Sequence, residues 1–508
     1  MKKLINAVLL VVAVLTARVV HAQITDTEKY DEPYRLQTHF SPRAHWINDP
    51  NGMVYFNHTY HLFYQYFPGG NSWGPMHWGH ATSKDLIHWH ELPIALYPDS
   101  LGYIFSGSAV VDADNTSGFG KDGKKPLVAI FTHHDPKGEQ AGKDNFQNQS
   151  LAYSLDEGYT WTKYNGNPVL KNSGIRDFRD PKVCWFAPAS KWVMTLATKD
   201  KVTFYSSPNL KDWTRESEFG EKLGAHGGVW ECPDMFKLTI GGRAYWVLTV
   251  NINPGGPNGG SATQYFIGQF NGTTFTPLDN KTRWVDYGPD EYAGVTWSNT
   301  GSRVLFLGWM SNWAYAGQVP TDKWRNAMTA PRQLSLNSVN GELLLCSNLV
   351  HEYDHIKQKE VTFGSKVLTG QKVKGLPHQY LLKLKANTAH SFSVTFSNSN
   401  DNQLVIGYNK AMNRFYIDRS KSGKIDFNPE FGKLCFAPRF SKAKISAIEI
   451  LFDTSSIEIF ADKGLSTMTS VYFPEKPLDQ LQISKQKGGI SQVKIVPLKS
   501  IWQKLAIK

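Results

Sequence analysis

The amino-acid sequence predicts an all-β protein that consists of a five-bladed β-propeller followed by a C-terminal β-sandwich. Helical periodicity is almost absent, and short aromatic and β-branched runs alternate with Gly, Asn, Asp and Pro turns. Five strongly apolar runs recur at a spacing of roughly 50 residues, which is typical of propeller blades. Beyond residue 360, regular alternating strands with few tryptophans indicate a β-sandwich.

The five apolar runs define the repeat. Each follows a shorter strand and a turn, and three of them lead into a Ser-containing turn that ends at Trp89, Trp161 or Trp213. The innermost strand of a propeller blade borders a central channel, so the motifs that open the five units are expected to meet at one funnel. A large irregular β-sandwich is the alternative interpretation. The runs are residues 61–67, 127–132, 192–197, 245–250 and 304–309.

The domain boundaries follow from these changes of pattern. Residues 1–22 read as a signal peptide, with Lys2 and Lys3 before an apolar stretch and a small-residue cleavage site at 20–22. We expect the propeller at 23–345, a linker at 346–360 and the β-sandwich at 361–508. A cleavable signal with no following cysteine predicts a secreted or periplasmic protein without a lipid anchor.

Composition limits the kinds of partner and cofactor that the protein is expected to bind. The 508-residue chain carries a formal net charge of +11, but its basic residues are scattered, which argues against nucleic-acid binding. No segment after the signal is apolar for long enough to span a membrane. The spacing of the four cysteines suits no zinc site. We therefore expect no cofactor and no metal, and no obligate protein partner is evident.

Three carboxylates each occupy a short motif with an aromatic residue and a proline. Asp49 lies in Trp-Ile-Asn-Asp-Pro-Asn-Gly (46–52), Asp180 in Phe-Arg-Asp-Pro (178–181) and Glu231 in Trp-Glu-Cys-Pro-Asp (230–234). Cleavage of a glycosidic bond needs one carboxyl group as acid and another as nucleophile or base. A Glu beside two ionised Asp residues has a reason to stay protonated, so Glu231 is the expected acid/base. These residues alone leave the nucleophile open between Asp49 and Asp180.

With these motifs, residues 35–500 resemble glycoside hydrolase family 32, the β-fructosidases that include invertases, inulinases and levanases. The resemblance implies that Asp49 is the nucleophile, Glu231 the acid/base and Asp180 the residue that holds fructosyl hydroxyls and stabilises the transition state. Ile47 departs from the Met that is common in this motif, but its volume is similar and no consequence is expected.

Further pocket residues follow from the same motifs. Asn48 and Gln65 are expected to bind hydroxyls and orient the nucleophile, and Arg179 to pair with a carboxylate. An aromatic ring packs well on the C–H face of a sugar, so tryptophans are expected as walls. Glu291 and Tyr292 are additional candidates for the funnel. The predicted substrate-binding set is Asn48, Gln65, Trp73, Phe105, Ser106, Arg179 and Trp313.

The expected function is therefore cleavage of β-fructofuranosyl linkages in levan or inulin, and in sucrose, with retention of configuration and release of terminal fructose. Endo-acting levanase and sucrose-specific invertase are alternatives within the same chemistry. A sialidase is a rival because residues 154–161 match a turn found in sialidase propellers, but the funnel motifs offer Arg179 alone where an arginine cluster is needed. A carbohydrate-binding propeller without catalysis is the rival from another class.

Overall fold

The computed structural model describes residues 30–364, 367, 370–484 and 489–502, and the predicted signal peptide lies outside them. Within these residues the strands form five sheets of four or five strands, followed by two sheets of six. This is the predicted order of a five-bladed propeller and a β-sandwich. The short helices are α1 (Pro136–Gln140) and the 3-10 helices Ala187–Ala189 and His351–Ile356. None of the helices described is long and apolar enough to cross a membrane.

The five smaller sheets are the propeller blades. The five apolar runs form the second strand of each blade, as the repeat predicts. The strands of blade 1 are β1 (His45–Phe56), β2 (Thr59–Phe67), β3 (His77–Ser83) and β4 (Trp89–Leu96), and those of blade 2 are β5 (Tyr103–Val111), β6 (Leu127–His134), β7 (Gln147–Ser154) and β8 (Thr162–Lys163). Blade 3 has β9 (Phe178–Phe186), β10 (Lys191–Thr198), β11 (Lys201–Ser207) and β12 (Thr214–Phe219), and blade 4 has β13 (Val229–Ile240), β14 (Arg243–Asn253), β15 (Ala262–Phe270), β16 (Phe275–Pro277) and β17 (Arg283–Trp284). The remaining propeller strands are β18 (Tyr292–Thr296), β19 (Val304–Met310), β20 (Trp324–Arg325), β21 (Ala327–Met328), β22 (Arg332–Val339) and β23 (Glu342–Leu349).

The blades close into a ring. The innermost strands β1, β5, β9, β13 and β18 contact one another in that order, and β18 contacts β1. Strand β20 leaves the last blade and pairs in parallel with the start of β1, where His45 lies opposite Trp324. Chain segments from both ends of the propeller are thus joined in one sheet, which removes an exposed edge.

The C-terminal part of the chain forms two six-stranded sheets that pack face to face around an apolar core that includes Phe396, Ile450 and Leu481. One sheet contains β24 (Val361–Thr362), β26 (Tyr380–Asn387), β31 (Ile445–Phe452), β32 (Ser456–Ala461), β33 (Ser466–Val471) and β35 (Ile490–Pro497). The other contains β25 (Val373–Lys374), β27 (Phe392–Ser397), β28 (Gln403–Asn409), β29 (Arg414–Lys421), β30 (Cys435–Pro438) and β34 (Gln480–Ile483). The segment proposed as a linker, 346–360, holds the end of β23 and the second 3-10 helix.

Buried charges join the propeller to the sandwich. Arg332 on β22 is fully buried, and its guanidinium reaches Asp286 of the propeller at 2.8 Å and also pairs with Glu458 of the sandwich. His39 lies between the carboxylates of Asp453, at 2.7 Å, and Glu458, at 2.8 Å. Charges removed from water are tolerated only when they are paired in this way.

Candidate active site

A break in the strand register lies near the start of each of the five innermost strands. Two residues on the inner strand lie opposite a single residue of the neighbouring strand, which is the mark of a β-bulge. A bulge turns side chains out of the regular alternation, so residues that would point into a blade can point into the channel. The unpaired residues are Asn48-Asp49, Phe105-Ser106, Asp180-Pro181, Cys232-Pro233 and Ala293-Gly294.

Three of these bulges contain a non-glycine residue in the left-handed region of backbone space. The φ angles are 65° at Asp180, 42° at Cys232 and 53° at Ala293. Such conformations are costly for residues with a Cβ atom and are found where the surrounding structure enforces them, often at functional sites. The backbone itself therefore sets this end of the channel apart.

The carboxylate of Asp49 is fixed by donors on both oxygens. Asn48 donates from Nδ2 to Oδ1 at 2.9 Å, and the Ser106 hydroxyl donates to Oδ2 at 2.7 Å. Asn48 is itself oriented by the Trp46 indole N–H, which donates to its Oδ1 at 2.8 Å. This chain of contacts holds one Asp49 rotamer and leaves the carboxylate facing the cavity.

Glu231 accepts hydrogen bonds from side chains of two neighbouring blades. Arg179 on β9 donates from Nη2 to Oε1 at 3.0 Å and from Nε at 3.3 Å. The Tyr292 hydroxyl on β18 donates to Oε2. Arg179 is held in turn by Asp177, whose Oδ1 lies 2.6 Å from Nη1. The predicted pairing of Arg179 with a carboxylate is thus present, and its partners are Glu231 and Asp177.

Asp180 is 5% exposed and sits among charges of both signs. Its Oδ2 accepts from the Cys232 backbone N–H at 3.0 Å. The Cys232 thiol lies 3.6 Å from the same oxygen and 3.5 Å from Oδ2 of Asp49, so one sulfur separates the two carboxylates. Burial, together with the nearby Glu231 and Asp49 and against the lowering effect of Arg179, raises the pKa of Asp180 to about 7.

These groups line one cavity of about 270 Å³ at the mouth of the channel. Trp73, which is 43% exposed, lies edge-on to Phe105 at 6.1 Å between ring centroids, and Trp313 stacks on Trp46 at 5.9 Å. Gln65 also lines the cavity, and its buried Nε2 has no hydrogen-bond partner within the described residues. All ten site residues named from the sequence meet here: Asn48, Asp49, Gln65, Trp73, Phe105, Ser106, Arg179, Asp180, Glu231 and Trp313.

Four further lining residues were not anticipated from the sequence: His134, Glu139, Gln147 and Asp177. Asp177 directly precedes the Phe178 motif, and that position was the available signal for it. His134 stacks on Phe105 at 4.2 Å, and burial lowers its pKa to about 4, so the ring is neutral at pH 7. Glu139 comes from helix α1, in a connection with no periodic pattern to reveal it.

The two additional funnel candidates behave differently. The Tyr292 hydroxyl donates a hydrogen bond to Glu231 and so contacts the site. Glu291, which directly precedes Tyr292, is 1% exposed and accepts a hydrogen bond from the Thr263 hydroxyl at 3.1 Å. The described cysteines are all free thiols. Within the described residues, no group of three or more His, Cys, Asp or Glu side chains is arranged to hold a metal ion.

Family profiles and known proteins match this chain along most of its length. The profile of the glycosyl hydrolases family 32 N-terminal domain matches residues 39–347, and that of the family 32 C-terminal region matches residues 347–502. A levanase of Bacillus subtilis is 44% identical over 522 residues, covering 99% of this chain and 76% of the levanase. The extracellular exo-inulinase inuE of Aspergillus niger is 40% identical and covers 93% of this chain and 96% of the inulinase.

Solved structures show the same architecture. An exo-inulinase from Aspergillus awamori superposes with a TM-score of 0.86 at 37% identity, covering 94% of this chain and 100% of the inulinase. A fructofuranosidase from Schwanniomyces occidentalis, solved with fructose, gives a TM-score of 0.83 at 34% identity and covers 93% of this chain and 100% of the other.

Proposed function

The chain belongs to glycosyl hydrolase family 32 and is a glycoside hydrolase, and we propose that it releases fructose from the ends of levan or inulin chains and also cleaves sucrose. The observation that carries the proposal is the convergence of three acids around one cavity: Asp49 and Asp180 lie in the bulges of two inner strands, and Glu231 directly precedes the bulge of a third. Relatives named levanase and exo-inulinase, at 44% and 40% identity, support fructans as substrates.

We assign the nucleophile to Asp49 and the acid/base to Glu231. Glu231, in its protonated form, gives its proton to the leaving glycosidic oxygen while an Asp49 oxygen bonds to the anomeric carbon and the glycosidic bond breaks. Water then attacks the anomeric carbon of the fructosyl ester, Glu231 takes the proton from that water, and the Asp49 carboxylate is released with the fructose. Two displacements at one carbon retain its configuration.

Asp180 and the amides act on the sugar hydroxyls. A carboxylate held against the ring gains strength as positive charge develops in the oxocarbenium-like transition state. The unpartnered Nε2 of Gln65 offers a donor to a hydroxyl, and Trp73 and Trp313 offer faces to the ring. These roles extend the family assignment to individual residues of this chain.

The shape of the site supports exo action. At about 270 Å³, the cavity is smaller than the ~300–1,000 Å³ usual for small-molecule sites, which favours a terminal sugar unit over a long internal segment. Export is the corresponding proposal for location, because inulinase relatives are extracellular and the chain begins with a signal-like sequence.

Product analysis tests this function. Levan, inulin and sucrose are incubated separately with the purified protein, and the products are separated over time. Fructose as the sole early product from levan or inulin is expected, whereas a ladder of oligosaccharides would show endo action. Failure to hydrolyse any of the three would overturn the proposal and leave a binding protein.

Methanol trapping tests the assignment of Asp49 and Glu231. With methanol as acceptor, the double displacement is expected to give methyl β-fructofuranoside, and the α-anomer would contradict it. Asp49→Ala and Glu231→Ala are expected to lose at least about a thousandfold in kcat while keeping the circular dichroism spectrum of the parent.

A further inference from the structure

A second cavity, larger than the catalytic one, opens at the other end of the propeller channel. Its volume is about 510 Å³, against about 270 Å³ for the catalytic cavity. It is bordered by the later residues of the same inner strands that carry the acids, including Lys182 on β9 and Asp234 on β13. A narrow void of about 10 Å³ between the two cavities is lined by both Asp180 and Lys182.

Tryptophans form one wall of this second cavity. Trp185 on β9 is 36% exposed and meets Trp192 edge-on, with ring centroids 5.0 Å apart. Trp246 on β14 also lines the cavity. Trp185 is one of four described propeller aromatics that are at least 36% exposed, with Trp73, Tyr97 and Tyr159, and a tryptophan at the mouth of a cavity is well suited to pack on a sugar ring.

The cations of this cavity are already committed. Lys182 lies 3.0 Å from Asp234, and Arg303 pairs with Glu352. The Lys237 ammonium sits 5.0 Å from the centroid of the Trp246 ring. Carboxylates thus neutralise Lys182 and Arg303, so these two side chains add little attraction for an anionic ligand.

Two hydroxyl groups of the wall retain the capacity to accept hydrogen bonds. Ser298 donates its hydroxyl hydrogen to Ala109 O at 2.7 Å, and Thr296 donates its own to Asp234 at 2.7 Å, which leaves oxygen lone pairs on both. Asp234 Oδ1 is buried and has no hydrogen-bond partner among the described residues. Such hydroxyl oxygens can accept hydrogen bonds from a polyhydroxylated ligand.

From these features we infer that the second cavity is a non-catalytic carbohydrate site that binds an internal segment of a fructan chain. The inference rests on the proposed function, because fructan is the neutral, polyhydroxylated polymer that the enzyme would meet. A site at the far mouth of the channel would hold the polymer close to the protein while its ends are processed at the catalytic mouth. It would act on long chains and leave sucrose hydrolysis unchanged.

Affinity electrophoresis tests the site. Native gels containing high-molecular-weight levan are run with Asp49→Asn protein, which avoids digestion of the gel polymer. Adding Trp185→Ala is expected to weaken levan binding at least fivefold, and Val111→Trp, which fills the cavity from β5, is expected to do the same. Trp185→Phe is expected to stay within twofold of the parent. The matched control is Tyr159→Ala, which removes an aromatic ring that is 53% exposed elsewhere on the propeller and should change nothing.

The outcomes separate the site from the activity. Unchanged retardation with both Trp185→Ala and Val111→Trp, or equal retardation in gels of dextran, would overturn the fructan site even if the enzyme hydrolyses levan. In the otherwise unmodified enzyme, Trp185→Ala is expected to keep kcat/KM on sucrose within twofold and to raise KM on levan at least threefold. If the enzyme released no fructose from any substrate while retardation still depended on Trp185, the proposed function would fail and the binding site would stand.

Discussion

Asp180 shows at the scale of one residue how this site concentrates charge. Its carboxylate shares a small volume with Asp49 and Glu231, and the Arg179 guanidinium Nε lies 4.0 Å from its Oδ2. The residue also adopts a left-handed backbone conformation, with φ at 65°. The combination of electrostatic cost and backbone strain at one position leads us to expect a functional role for Asp180.

Replacing Asp180 with Asn is expected to lower kcat on sucrose by about two to four orders of magnitude, which corresponds to ~3–5 kcal/mol of lost transition-state stabilisation. The reason is that Asn keeps the shape of the side chain but removes the charge that faces the developing oxocarbenium ion. Steady-state kinetics measures the effect. A variant with raised KM and a kcat within a few-fold of the parent would make Asp180 an ordinary substrate-binding residue.

The same substitution is expected to stabilise the fold at alkaline pH. Because the pKa of Asp180 is raised to about 7 in the folded protein, its contribution to stability is complete below its unfolded pKa near ~4 and is lost as pH rises through about 7. Asp180→Asn cannot ionise, so its melting temperature should exceed that of the parent at pH 8, by the equivalent of about 1–3 kcal/mol. The advantage should disappear at pH 4. An equal difference at both pH values would contradict the raised pKa.

At the scale of the strand, the β-bulge explains why the sequence predicted so much of this site. The three acids were recognisable because each opens a similar repeat, and residues at one phase of a repeat meet at one end of a propeller. The bulges themselves were not predictable, because a register shift depends on which residues of two strands pair. His134 and Glu139 were missed for a related reason, since the end of β6 and the connection after it carry no motif.

Gly107 links the bulge of β5 to Asp49, the proposed nucleophile. It directly follows Ser106, the donor to Asp49, and a Cβ atom at Gly107 would lie 2.0 Å from the backbone oxygen of Ile130 on β6. Gly107→Ala is therefore expected to push β5 from β6, to destabilise the protein by about 2–4 kcal/mol and to lower kcat at temperatures where the variant is still folded.

Denaturant unfolding and sucrose kinetics check the Gly107 prediction. Gly317→Ala is the control, because a Cβ atom there meets no atom within 4 Å. This control should change the free energy of unfolding by less than about 0.5 kcal/mol. Normal stability and normal kcat for Gly107→Ala would show that the blade adjusts without moving Ser106.

At the scale of the whole molecule, the two parts of the chain are held together by buried charges as well as apolar contacts. The sequence predicted the change from propeller to sandwich from a change of strand pattern. It could not indicate that Glu458 accepts from Arg332 of the propeller and contacts His39, because those residues are more than a hundred positions away and no local pattern links them. The boundaries predicted between the propeller, the linker and the sandwich stay predictions.

His39 makes this interface sensitive to alkaline pH. Burial alone would lower its pKa, but the carboxylates of Asp453 and Glu458 outweigh burial and raise it to about 9. The contribution of the charged ring to stability is therefore fully present below its unfolded pKa near ~6.5 and is lost as pH rises through about 9, on the order of 2–3 kcal/mol. His39→Gln is expected to melt at a lower temperature than the parent at pH 7, and the difference in melting temperature should narrow by pH 10.

Calorimetry of both proteins from pH 7 to pH 10 measures this difference. The control is His88→Gln, because the His88 ring of the parent bonds Asp85 near the surface, at 2.8 Å. Because lysines and tyrosines also titrate in this range, the test is the difference between parent and variant; a gap that stayed constant to pH 10 would mean that His39 is not charged at the interface.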